Sequence, residues 1–284
     1  MTDPTARIAV IGGSGLYTLF DPDQSEQRRI ETPYGPALVT IGQLGGRTVA
    51  FLTRHGVDHS VAPHLINYRA NIWALASLGV TAILSSAAVG GVSPDYAPGS
   101  LVLTDQYIDR THGRADTFFT STGSVQAPGN VQHLASADPF DPALHALAAD
   151  ALRRAGETVI ESGTVVVIQG PRFSTRAESL WFRAAGAHTV NMTLYPEVPL
   201  AAELNIGTVN LSYVTDSDAG VAESEKQGEP LSAELVFSRL KEAQPRIVEA
   251  IEAIIRSLPE NYAGRELIDP AAVATVLAHQ APAL

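Results

Sequence analysis

The chain has 284 residues, 45% hydrophobic and 17% charged, with 19 basic against 30 acidic side chains, a formal net charge of −11 and no cysteine. That length and apolar content allow one large α/β domain or two small ones. The absence of cysteine excludes a disulfide framework and a thiolate metal site, and the acidic balance argues against nucleic acid as a partner.

No run approaches the roughly 20 uninterrupted apolar residues that cross a bilayer, and the opening MTDPTARIAVIGG lacks the parts of a secretory signal. The expectation is a cytoplasmic enzyme without a membrane partner. Apolar runs alternate with helical periods, the pattern of a largely parallel sheet flanked by helices. The first strand candidate, Arg7–Ile11, runs into Gly12-Gly13-Ser14-Gly15-Leu16-Tyr17. Such a turn can present backbone N–H groups and the Ser14 hydroxyl to an anion; a plain structural turn reads the same way. A dinucleotide fingerprint begun at Gly13 would need glycine where Thr18 stands, and Asp21-Pro22-Asp23 interrupts the helix expected next. That counts against a nicotinamide-dependent oxidoreductase.

The second strand candidate, Thr48–Thr53, ends in Arg54-His55-Gly56. Either this pair meets an anion, or Arg54 is a surface cation and His55 a satisfied core residue. Segment Ile66–Leu78 carries Ile72, Trp73, Leu75 and Ala76 on a broad apolar helical face. The third strand, Thr81–Ser85, leads into Ser86-Ala87-Ala88-Val89-Gly90-Gly91, small residues that suit close approach to a ligand or a tight corner.

Leu101–Thr104 is a further strand, and the polar, Gly/Pro-punctuated stretch Thr111–Ser136 is long enough to suggest a functional or interface loop. Asp141 as N-cap, Pro142 at the first position and Gly156 as stop bound a helix with Leu144, Leu147, Ala151 and Leu152 on one face. After strand Thr164–Gln169, Thr175 and Glu178 have capping-box spacing ahead of Trp181 and Phe182. Val190-Asn191-Met192-Thr193 follows a short apolar run; Met192 could pack on a sugar and Thr193 donate to phosphate, or both could be core and turn. Strand Gly207–Val214 ends in Thr215-Asp216-Ser217-Asp218. In extended chain the two aspartates share a face, where repulsion should make one hold its proton tightly and suit a purine's N7 and exocyclic amine; a solvated turn is the alternative. Ser232–Leu258 has helical periodicity broken by Pro245, which predicts a kinked helix or two abutting ones. Glu260–Leu284 is left as a tail of uncertain order.

In order along the chain stand IGGSGL at 11–16, RHG at 54–56, NYRANIWAL at 67–75, HLASADPF at 133–140, GPRFSTRAES at 170–179, NMTLYPE at 191–197 and TDSD at 215–218. On these collinear motifs the chain, from about residue 7 to about 255, resembles the trimeric purine nucleoside phosphorylase family in its methylthioadenosine phosphorylase branch. The resemblance implies a single domain over 5–258, with a central mixed, largely parallel twisted sheet flanked by helices, and a tail over 259–284. It implies phosphate contacts from Ser14, Arg54, His55, Ala87, Ala88 and Thr193, with Met192 on the ribose and Phe173 at the base. It implies Asp216 and Asp218 on N7 and the 6-amino group, Asp216 being the general acid. It further implies His133 reaching across a subunit boundary in a homotrimer, and Ser174, Leu231 and Ala233 tuning substrate choice. Ala87 departs from the family's usual Thr, Ser or Asn, and Ala219–Pro230 matches poorly.

The implied reaction is 5′-methylthioadenosine plus phosphate to adenine and 5-methylthioribose 1-phosphate, with no cofactor or metal. Rivals are a phosphorylase for inosine, methylthioinosine or other 5′-modified nucleosides and, from another class, a non-catalytic nucleotide-binding module.

Overall fold

The computed structural model describes residues 6–56, 58–121, 127–220 and 232–279. The first part of the chain forms β1 (Ile8–Gly12), β2 (Glu26–Thr32), β3 (Gly35–Leu44), β4 (Arg47–Thr53), α1 (Tyr68–Ser77) and β5 (Ala82–Gly91). Then come β6 (Leu101–Thr104), β7 (Gln106–Arg110), α2 (Pro142–Arg154), β8 (Val159–Ile160), β9 (Thr164–Ile168) and α3 (Arg176–Ala184). The last part holds β10 (Thr189–Asn191), α4 (Leu194–Glu203), β11 (Gly207–Ser217), α5 (Ala233–Ser257) and α6 (Pro270–Ala278). No helix among the described residues is long and apolar enough to cross a membrane.

All strands join one mixed sheet running β2-β3-β4-β1-β5-β10-β9-β7, while β11 pairs with β5 and β6, and β6 with β8. The pairs at the centre, β1 with β4, β1 with β5 and β11 with β5, are parallel. Burial on both faces gives these strands nearly continuous apolar runs, which is why they are legible in the sequence. Alternation still sorts their side chains. Ala9, Ile11, Ala50, Leu52 and Ile83 pack with Ile72, Trp73 and Leu75 of α1 and with Leu200 of α4. Ile8, Val10, Val49, Phe51 and Leu84 face Leu144 and Leu152 of α2 and Ile247 and Ile251 of α5. Helices therefore cover both faces of the sheet.

The helix ends follow their local chemistry. Asp141 accepts from Leu144 N at 2.9 Å, and Thr175 and Glu178 close a reciprocal capping box. Of the two expectations at Pro245, two abutting helices is the one the structure decides against: α5 is one helix of 25 residues with the proline inside it, N-capped by Ser232, and Ala243 and Ile247 on either side of the proline are buried. Packing against α2 and the sheet outweighs the hydrogen bond lost at one proline. The stretch after Pro259, whose order the sequence leaves open, is built into the core through residue 279. Asn205 Oδ1 accepts from Leu267 N (2.8 Å) and Ile268 N (3.0 Å), Trp73 Nε1 donates to Val276 O (3.0 Å), and Ile268 and Val276 are buried. Strands β2, β3, β7, β8 and β10 carry no expectation from sequence. β2 is largely exposed, β7 is half-buried with no buried face, and β8 and β10 have two and three residues.

Candidate active site

The sheet splits beside the central strand β5, and the split opens the candidate site. On one edge β5 pairs with β1 as far as Ser85, and with the antiparallel β10 only from Gly90. Between these points Ala87, Ala88 and Val89 have no strand on that edge, and they line a cavity of about 310 Å³. Ligands favour such breaks at the carboxyl ends of strands, where backbone groups are available. The 86–90 stretch acts as a ruler: at roughly 3.3 Å per residue it spans about 13 Å.

At the Ser86 end stand the residues expected to meet phosphate. A Cβ added at Gly13 would lie 2.5 Å from Ser86 O and 3.0 Å from Arg54 Nη1, so only glycine lets the β1 loop close on β5. Ser14, Arg54, His55 and Thr193 share this wall. Arg54 is not a surface cation. It is buried, and its Nε and Nη2 donate to the two carboxylate oxygens of Glu197 at 2.7 and 2.8 Å, while Nη1 donates to Ser86 O at 3.0 Å. Burial works against its charge, but Glu197 outweighs burial and raises the guanidinium's hold on its proton. His55 Nδ1 lies 2.9 Å from Val61 O; a carbonyl only accepts, so Nδ1 carries the hydrogen and Nε2 is left as the group available to a ligand. Burial, with Arg54 and His59 nearby, lowers the imidazole's pKa to about 4 despite the Val61 bond. Thr193 caps α4 without a capping bond from its side chain, which leaves its hydroxyl on the cavity wall.

At the Gly90 end stand the aspartates. A Cβ on Gly90 would lie 3.0 Å from Asp218 Cβ, 3.2 Å from Asp216 Oδ2 and 3.3 Å from Val190 Cγ1. A β-bulge between Val214 and Asp216 shifts the register, and both carboxylates are buried and line the cavity. Thr215 Oγ1 donates to Asp216 Oδ1 at 2.6 Å, and Arg239 of α5 donates to Thr215 O. Asp218 Oδ2 accepts from Ser179 Oγ of α3. Its pKa is raised chiefly by burial; the hydroxyls of Ser179 and Ser174 pull it down and Glu178 pushes it up. Desolvation therefore leads where the sequence suggested repulsion within the pair.

Phe173, Ser174 and Met192 line the same cavity, and Ala233, Val236 and Phe237 of α5 form an apolar wall with His59. His59 has a positive φ of 57°, meets Tyr17 OH at 3.1 Å through Nδ1, and packs edge-on against Phe237. Of the site residues expected from sequence, His133 is exposed and outside this cavity, and Leu231 lies outside the described residues, as does most of Ala219–Pro230. Sequence reasoning missed Glu197, His59, Ser179 and Arg239. Only Glu197 carried a signal, an acid inside the apolar helix LYPEVPLAAE.

The sequence profile of the phosphorylase superfamily matches residues 7–256. The chain is 47% identical to the S-methyl-5′-thioadenosine phosphorylase of Mycolicibacterium smegmatis, covering 87% of this chain and 91% of that one. It is 48% identical to the purine nucleoside phosphorylase of Streptomyces coelicolor, covering 82% of each. The methylthioadenosine phosphorylase of Schistosoma mansoni, solved with adenine, superposes with a TM-score of 0.80 at 32% identity, covering 88% of this chain and 91% of that one.

Proposed function

This chain belongs to the phosphorylase superfamily and is an enzyme of it, and we propose that it cleaves 5′-methylthioadenosine with phosphate. The observation that carries this reading is the single cavity with Arg54, His55 and Ser14 at one end and Asp216 and Asp218 at the other, separated by roughly the length of a nucleoside with phosphate beneath it.

Phosphate is held under the sugar by Ser14, the remaining N–H groups of Arg54, His55, the backbone at Ala87 and Ala88, and the Thr193 hydroxyl. Ala87 supplies no side-chain donor, so the unpaired edge of β5 does that work. Met192 lies on the ribose and Phe173 on the base. The C1′–N9 bond lengthens, the sugar gains positive charge that the phosphate stabilises, and a phosphate oxygen captures C1′. Asp216 donates a proton to N7 as the purine leaves, while Asp218 accepts from the 6-amino group. Positioning and electrostatics supply most of the acceleration, at roughly 1.4 kcal/mol per tenfold in rate. The reaction needs no cofactor or metal, phosphate being the co-substrate.

The apolar wall of Ala233, Val236 and Phe237 suits a methylthio group at the 5′ position better than a hydroxyl. Exposed His133 reaches the 5′ end of a neighbouring protomer's site in a homotrimer, and Ser174, Leu231 and Ala233 adjust substrate choice. The setting is cytoplasmic purine salvage.

The second reading is phosphorolysis of other purine nucleosides, 6-oxopurine ones included; the Streptomyces relative is a purine nucleoside phosphorylase. Initial rates of base release from methylthioadenosine, adenosine, inosine and methylthioinosine, each with and without phosphate, test both. Phosphate-dependent release of adenine, fastest from methylthioadenosine, is expected. Faster release of hypoxanthine would establish the second reading, and no phosphate-dependent release would end both.

A further inference from the structure

Asn191, the last residue of β10, is a polar side chain that the catalytic scheme leaves unused. It is buried in the cavity wall, and its Nδ2 has no hydrogen-bond partner among the described residues. Its orientation is set from the other end. Oδ1 accepts from Thr193 N at 3.4 Å, and the reverse orientation would bring the amide's own donors against that N–H. The NH2 group is thereby turned away from the α4 cap. A buried amide with both hydrogens unspent is uncommon unless a ligand completes it.

The position says which part of a ligand is near. Val190, the preceding residue, pairs with Gly90 and stands beside the space flanked by Asp216 and Asp218. Met192, the following residue, is on the sugar side of the cavity in the scheme above. Asn191 thus lies between the base and sugar ends, on β10, with β5 between it and the bulged end of β11. A purine whose N7 and 6-amino group face the aspartates leaves the rest of its six-membered ring, the edge from N1 to N3, to other partners. Of that ring's atoms, adenine offers N1 and N3 as acceptors and no hydrogen of its own on either.

We propose that Asn191 Nδ2 donates a hydrogen bond to a pyrimidine-ring nitrogen of the bound adenine, N1 or N3, and so positions the base for proton delivery at N7. This rests on the phosphorylase reading of the same cavity. Asn191 acts here as a base-binding residue, with Thr193 N–H holding its amide in register. If N1 is the partner, the contact also rejects 6-oxopurines, in which N1 carries a hydrogen and would meet a donor with a donor.

The test pairs Asn191→Ala and the similarly sized Asn191→Leu with the 1-deaza and 3-deaza analogues of methylthioadenosine. In the wild type, one analogue should lose about tenfold in kcat/KM relative to its parent. Both variants should show that tenfold loss on the parent, mostly in KM, and little further loss on the same analogue. Full additivity, with the variants and the deaza change each costing tenfold independently, would overturn the assignment, as would wild-type values in either folded variant. Thermal melting establishes that the variants fold; if Asn191→Ala does not, Asn191→Leu and Asn191→Ser carry the comparison. Calorimetric binding of adenine, 1-deazaadenine and 3-deazaadenine to wild type and variants gives the same cycle without turnover. Should no nucleoside be cleaved, the phosphorylase reading fails by itself, while this binding cycle still decides the Asn191 contact.

Discussion

Glu197 grips Arg54 with both carboxylate oxygens, at 2.7 and 2.8 Å, deep in the wall of the cavity. With Nη1 on Ser86 O as well, three of the guanidinium's five N–H bonds are engaged, and two are left for a ligand. The pair is electrically neutral as a unit. An anion at this end is therefore recognised by aimed donors more than by net positive charge, in keeping with a chain of formal charge −11.

Removing Glu197 should damage stability and phosphate use together. Glu197→Ala leaves a buried guanidinium without its counter-charge, a loss of about 3–5 kcal/mol by precedent for broken buried pairs. Urea unfolding should show that loss, and phosphate KM should rise more than nucleoside KM. Glu197→Gln keeps an acceptor and should fall between. An unchanged urea midpoint with unchanged phosphate saturation would remove the pair from both roles.

Asp216→Ala should lower turnover with methylthioadenosine by about 10²-fold or more, the range for losing a general acid. Asp218→Ala should instead narrow the preference for adenine over hypoxanthine nucleosides. A carboxylate facing a 6-oxo group is unpaired at a cost on the order of 1–3 kcal/mol, and the variant lacks it. Substrate-resolved kcat/KM values check both, and near-normal turnover of Asp216→Ala would remove it from the mechanism.

His55 makes the unliganded protein sensitive to mild acid. Its folded pKa of about 4 is below the unfolded value of 6.5, so the unfolded chain binds more protons between those values. The stabilisation is complete above about pH 6.5 and is lost as pH falls towards 4, by as much as about 3 kcal/mol. Urea midpoints in phosphate-free buffer should fall across that window, and His55→Gln should flatten the fall. Parallel pH curves for the two proteins would refute this.

Truncation after Pro259 should destabilise the protein although it removes no cavity-lining residue. It strips Ile268 and Val276 from the core and deprives Trp73 Nε1 of its acceptor. Several kcal/mol follow from losing two buried aliphatic side chains and a hydrogen bond. Thermal unfolding of the shortened chain is the check, and an unaltered transition would make the segment dispensable.

The parts of the fold legible in the sequence are those whose burial leaves a local mark. β1, β4, β5 and β11 read as apolar runs because both faces of the sheet are covered, and Asp141-Pro142 and Thr175–Glu178 mark helix starts by capping chemistry that involves only near neighbours. β2 is an exposed edge strand, β7 a half-buried one, and β10 has three residues, too few for a period to show. Pro245 leaves one helix or two undecided for the opposite reason: its local penalty is real, but α5 is held together by contacts far away in sequence.

The sequence by itself determined which chemical groups are present and in what order: the glycine turn with Ser14, the Arg54-His55 pair, Met192-Thr193 and the two aspartates. Tertiary structure alone decided that β5 has no neighbour on one edge between Ser85 and Gly90, that Glu197 from α4 neutralises Arg54, and that Ser179 from α3 meets Asp218. The physical reason is range. Capping, turns and strand patterning act over a few residues, whereas the charge balance and desolvation that set a site's chemistry are fixed by groups 143 and 39 positions apart along the chain.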